Sequence, residues 1–229
     1  MNSKCAPFIF CVILKLKIQI SYLIDTKAGV HLEKQYVDLM QFFEGYVRNY
    51  RRMNLSVAHN RSMFTKREID YFANLGEMLG FDAFIEDSKY DKALGRSRPM
   101  DLSWWKWDER IDKENYIYLA LHLERENQWD KDEETIDKLF SETEPDYIPH
   151  NVIGIQNIDA EERIQVLNSL VVTKNKAQQS NVLMTYRFYD RNYDVERVKA
   201  YHFSPDGKEQ VREANCKQDE VGYWFMYFG

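Results

Sequence analysis

The stretch Tyr116–Glu126, YIYLALHLERE, constrains this chain most. Its Tyr, Ile, Leu and Ala residues, uninterrupted by Gly or Pro, predict a central buried strand. A strand that closes in Glu124 and Glu126 carries both carboxylates on one face, because successive side chains alternate. His122 shares that face by the same even spacing, although a lone strand histidine is more often structural. The preceding extended segment Pro99–Trp107, PMDLSWWKW, opens with Asp101. If the two strands are neighbours, Asp101 comes close to Glu124. Carboxylates so grouped raise one another's pKa and are costly unless a positive group lies between them, either Mg²⁺ or an Arg or Lys side chain.

Around this stretch the chain resembles the restriction-endonuclease-like nucleases, the PD-(D/E)XK superfamily. The residues that carry the resemblance fall between Thr65 and Asp190. They are a helix ending at Gly80-Phe81, the Met100-Asp101 pair after Pro99, and Glu124-Arg125-Glu126 at the close of a hydrophobic strand. Two positions depart from the family pattern: Met100 intervenes between Pro99 and Asp101, and Glu126 stands where the family usually has Lys. The resemblance implies an α/β (α+β) fold, a restriction-endonuclease-like mixed β-sheet flanked by helices with an N-terminal accessory helix. It implies hydrolysis of phosphodiester bonds in DNA with Mg²⁺ or Mn²⁺, leaves RNA as a further substrate, and leaves a homodimer open. It assigns Asp101, Glu124 and Glu126 to catalysis and Asp101 and Glu124 to the metal. Glu68 is the candidate third ligand, since the Holliday-junction-resolvase branch often has a glutamate near the start of the equivalent helix. Glu126 cannot supply positive charge, so Lys106 and Lys131 are the nearest substitutes in sequence. The alternative is a catalytically inactive nuclease-fold module that binds nucleic acid or a protein partner. A third reading is an α+β interaction protein whose exposed aromatics serve a partner.

Composition bounds these readings. A chain of 229 residues with 44% hydrophobic and 14% aromatic content supports one sizeable core and argues against a disordered chain. The net charge of −6 is unhelpful for binding a polyanion. The charge is nevertheless uneven: residues 1–66 hold ten Lys/Arg against four Asp/Glu, a hint of nucleic-acid or membrane contact that is also common on solvated surfaces. Three dispersed cysteines, Cys5, Cys11 and Cys216, form neither a disulfide framework nor a zinc motif and suit a reducing, cytoplasmic setting. The apolar run Cys5–Leu14 is too short to span a bilayer, which needs roughly 20 residues. The following LKLKIQI alternates as an amphipathic strand does.

Along the chain, Leu32, Tyr36, Leu39, Phe43, Tyr46, Val47 and Tyr50 recur at helical spacing. This accessory helix ends in Arg48, Arg51 and Arg52, which either complement its dipole or grip phosphate with Tyr50 stacking on a base. Residues 1–60 are expected to form an extension and this helix, and residues 61–229 the nuclease-like core. Ser62 or Thr65 is expected to cap the next helix, with Glu68 completing a capping box and Ile69, Phe72, Leu75 and Leu79 as its buried stripe. Strands are expected over Phe81–Glu86, Pro99–Trp107, Tyr116–Glu126, His150–Ile158, Asn181–Tyr189 and Val195–Phe203. Short helices are placed after Trp129 and, behind an Asp159/Glu162 capping box, through Ile164, Leu167 and Val171. Arg96 and Arg98 lie in a polar loop at the sheet edge, placed to meet phosphate. Three successive strands predict hairpins, and the later strand–helix–strand unit predicts a parallel pair. No glycine-rich phosphate loop or nucleophile triad is present.

Overall fold

The structure, a computed structural model, describes residues 33–229; the apolar N-terminal run and the LKLKIQI segment lie outside them. Lys34–Gly229 form one compact unit. An eight-stranded mixed sheet runs through it, flanked by helices on both faces. Its strands are β1 (Asp82–Asp87), β4 (Met100–Lys106), β5 (Tyr118–Glu126), β6 (Asn151–Asn157), β7 (Asn181–Asp190), β8 (Val195–Phe203), β9 (Glu209–Gln218) and β10 (Trp224–Tyr227), in that spatial order. A separate two-stranded hairpin, β2 (Tyr90–Asp91) and β3 (Arg96–Ser97), lies in the loop before β4. The helices are α1 (Leu39–Asn49), α2 (Arg61–Met78), α3 (Asp132–Leu139) and α4 (Arg163–Gln178). No helix among the described residues is long and apolar enough to cross a membrane.

The pairing follows from the connections. β1, β4 and β5 form an antiparallel meander. β5–β6 and β6–β7 are parallel, with α3 and α4 as the crossovers that parallel neighbours require. β7 to β10 return to an antiparallel meander. The expected hairpins and parallel pair are therefore present. β9 is a strand that the sequence reading did not mark, because Val211, Ala214 and Cys216 are its only apolar residues and the strand is mostly exposed.

Side-chain alternation divides the core in two. Leu121 and Leu123 of β5, Ile153 and Ile155 of β6 and Leu183 of β7 face α1 and α2. Val152, Val182, Met184 and Tyr186 face α3 and α4. α1 begins later than the periodicity predicts, at Leu39, where Asp38 accepts the Gln41 N–H as N-cap. Its stripe of Leu39, Phe43, Tyr46 and Val47 is fully buried against the sheet, within the same compact unit as the strands. Asn60, rather than Ser62 or Thr65, caps α2 by accepting the Met63 N–H. Gly80 ends α2 at φ 82°, a left-handed position that suits glycine. The Asp159/Glu162 capping box does not form, because Glu162 is itself helical and makes no side-chain cap bond.

Two glycines set how closely the layers approach. A Cβ on Gly76 of α2 would lie 2.6 Å from the Trp104 ring, so its absence lets the indole of β4 pack flush against the helix. Gly154 of β6 pairs with Glu124 of β5. A Cβ there would stand 2.5 Å from Met184 Cε and 3.1 Å from Leu139 Cδ1. The bare backbone at this point admits α3 onto the sheet beside Glu124.

Candidate functional site

Asp101 and Glu124 come together as the strand pattern predicts. The register Leu102↔Leu123 sets Asp101 opposite Glu124 on the face covered by α3. The pair is locked through the backbone: the Arg125 N–H donates to Asp101 Oδ2 at 2.8 Å, and the Asp101 N–H donates to Glu124 Oε1 at 3.3 Å. His122 Nε2, two residues before Glu124 on the same face, lies 2.7 Å from Glu124 Oε1. Burial, reinforced by Lys89 and Lys138, holds His122 well below its usual pKa of 6.5. The imidazole is thus neutral; Nε2–H donates to Glu124, and Nδ1 is buried without a hydrogen-bond partner.

The positive group between the two acids is Lys138, on the last turn of α3. Its ammonium donates to Glu124 Oε2 and stands 3.6 Å from Asp101 Oδ1. Gly154 opens the space through which α3 reaches this point. Even so, one ammonium does not balance two carboxylates. Burial, with Glu124 adding to it, pushes Asp101 up to about 6. Burial likewise raises Glu124, opposed by Lys138. A second lysine, Lys89, is buried below the pair, donates to the Lys138 carbonyl at 3.2 Å, and is lowered to about 8 by burial against the pull of Glu124 and Asp91.

Asp101, Glu124 and Lys138 line a polar cleft of about 230 Å³, with Arg98, Glu126, Lys131 and Glu134 at its walls. Glu126 is in the cleft but bonds elsewhere: its Oε1 accepts the Gln128 N–H at 2.7 Å. Lys131 is a wall residue. Lys106 is not, since it lies at the opposite end of β4 and donates to the Gly80 carbonyl. Arg98 pairs with Glu134 at 3.2 Å and with Asp91 at 3.6 Å.

Glu68 is on the other side of the sheet. It extends from α2 into the layer beneath α1, where Arg125 donates to its Oε2 and Tyr46 and Tyr50 donate to its Oε1 at 2.8 and 3.0 Å. Burial pushes Glu68 up, but Arg125 and Arg187 outweigh it and hold the carboxyl below its ordinary 4.5. It is neither a cap nor a neighbour of Asp101. Tyr50 is fully buried and donates to this network, so it offers no face for base stacking, and Arg51 is held by Asp219.

Among the described residues no three His, Cys, Asp or Glu side chains converge on a metal position. The donor set still fits one magnesium ion, which keeps most of its waters and takes one or two carboxylates. Asp101 Oδ1 is beyond hydrogen-bond length of Lys138 and faces the open cleft. The sequence reading missed Lys138 and Lys89. Compared with known proteins, the chain matches no family model and no curated protein.

Proposed function

We propose that the protein is a metal-dependent phosphodiester hydrolase of restriction-endonuclease-like fold, acting on DNA through Asp101, Glu124 and Lys138. One observation carries this reading: two carboxylates from antiparallel neighbours share a solvent-open cleft with a lysine ammonium between them. The element order supports the fold, since α2 leads into three antiparallel strands, then α3, then a parallel strand.

Hydrolysis joins a water oxygen to phosphorus, breaks the bond to the leaving oxygen, and returns a proton to that oxygen. Asp101 and Glu124 would hold Mg²⁺ or Mn²⁺, which supplies Lewis acidity and a more acidic water. Lys138 supplies the cation that the family pattern places at Glu126, delivered from α3 instead of from β5. It sets positive charge where the phosphate's negative charge grows. His122 and the Arg125 N–H hold the two carboxylates in position. Arg48, Arg52, Arg61 and Arg67, between the last turn of α1 and the second turn of α2, are exposed and offer positive charge to a phosphate backbone. Asn127, directly after Glu126, bonds to the Arg61 carbonyl, which sets the start of α2 beside the end of β5.

The second reading is a catalytically silent module of the same fold that binds nucleic acid or a protein. Lys138 favours it, because an ammonium on Glu124 already supplies part of the neutralisation a metal would provide. The test is nicking of supercoiled plasmid and cleavage of end-labelled single- and double-stranded oligonucleotides with Mg²⁺ or Mn²⁺. The reading predicts cleavage by the wild type and losses of about 100-fold or more in Asp101→Asn, Glu124→Gln and Lys138→Met, with the fold kept by circular dichroism. Undiminished cleavage in Asp101→Asn and Glu124→Gln would refute it. Binding without cleavage in the wild type would leave the silent module.

A further inference from the structure

Outside the cleft, near the edge strand β1, a cluster of aromatic rings surrounds Tyr116. The rings of Phe84, Trp105 and Trp107 stand 5.8, 5.7 and 5.6 Å from it, and Trp105 meets Tyr147 edge-on at 5.4 Å. Phe84, Trp107 and Tyr116 are 39, 37 and 40% exposed. α3 packs on β5 and β6 and leaves this end of the sheet to the rings.

Carboxylates lie near the cluster. Burial, with Asp82 and Asp87 adding to it, raises the Tyr116 hydroxyl above 10.0; burial, with Asp87, Glu144 and Asp146 adding to it, does the same at Tyr147. Asp82, Glu144 and Asp146 are exposed. Asp87 spends one oxygen on Ser103 and Trp105, at 2.6 and 2.7 Å, and forms no ion pair among the described residues. Of the basic residues near it in sequence, Lys106 bonds the Gly80 carbonyl, Arg110 pairs with Asp108, and Lys113 is exposed.

We propose that this patch binds a cationic segment of a partner protein, seating Lys or Arg heads against Tyr116 and Trp107. Ring faces attract a cation through their quadrupole, and flanking carboxylates supply the countercharge. An apolar partner would bury four acids without a mate, which is costly. A nucleic acid would meet like charge. The proposal stands independently of any hydrolytic activity.

The test titrates fluorescein-labelled octalysine and octaarginine peptides against the full chain, read by fluorescence anisotropy. Saturable binding at one site per chain is expected. Tyr116→Ala and Trp107→Ala should each weaken it about fivefold. The double variant Asp82→Asn/Asp146→Asn, which leaves every ring in place, should weaken it and flatten its salt dependence. An equal charge change at the remote, exposed Glu209→Gln/Glu220→Gln pair should leave it unchanged. Three results would overturn the proposal: equal losses in the remote variant, no loss in the patch variants, or patch variants that abolish oligonucleotide binding or self-association instead of peptide binding.

Discussion

Replacing Asp101 by Asn should stabilise the protein at neutral pH. The carboxyl is pushed up from 3.8 to about 6, so the folded state favours its proton. Stability from this group is complete below the unfolded value of 3.8 and is lost as pH rises through about 6. At about 1.4 kcal/mol per pKa unit, holding Asp101 ionised costs on the order of 3 kcal/mol. Its side chain is 27% exposed, and solvent screening reduces that to about 1.5 kcal/mol. Asparagine keeps an acceptor for the Arg125 N–H and carries no charge. Urea unfolding of both proteins at pH 4 and pH 7.5 checks this. The stability difference between variant and wild type should grow by about 1.5 kcal/mol toward pH 7.5, about 0.7 M in urea midpoint for an m-value near 2 kcal/mol/M. A divalent cation should reverse the order by binding only the wild type, adding about 2.7 kcal/mol at a hundredfold excess over its Kd. An Asp101→Asn variant that gains nothing between the two pH values would refute the reasoning. It would mean that Lys138 already compensates the charge.

Glu68→Gln should destabilise the fold by about 3–5 kcal/mol, because it leaves the buried Arg125 without its carboxylate, while Arg187 keeps Glu196; thermal unfolding reads this. Gly76→Ala should cost about 1–3 kcal/mol, since the added methyl meets the rigid Trp104 ring at 2.6 Å; chemical denaturation with Trp fluorescence reads it. Gly154→Ala should lower cleavage more than stability, because the softer Met184 end yields while Leu139, and with it Lys138, is lifted from the sheet; kcat and urea midpoint measured together separate the two effects.

How much of this was legible in the sequence depends on distance along the chain. The alternation of β5 sets Glu124, Glu126 and His122 on one face, and a hairpin to β4 then brings Asp101 alongside. Both are local rules. In the structure Arg125 lies on the buried face with Leu121 and Leu123, and Glu68 on the stripe of Ile69 and Phe72, two placements that the same spacing rules contain. Read together, these two facts mark a buried ion pair beneath the sheet, not a cap or a metal ligand. Lys138 and Lys89 were not legible, because their positions depend on how α3 and the β2–β3 loop close over the strand ends. Tertiary approach, here governed by a missing side chain at Gly154, leaves no periodic trace. Nor does a strand such as β9, whose exposed residues give no alternation to follow.

The central claim is that Asp101 and Glu124 jointly hold a divalent cation. The most direct measurement is Mn²⁺ binding, read by the electron paramagnetic resonance of the free ion as protein is added. The account predicts one site per chain, lost in Asp101→Asn and in Glu124→Gln and retained in Glu126→Gln. Absence of binding in the wild type, or binding that survives both substitutions, would contradict it.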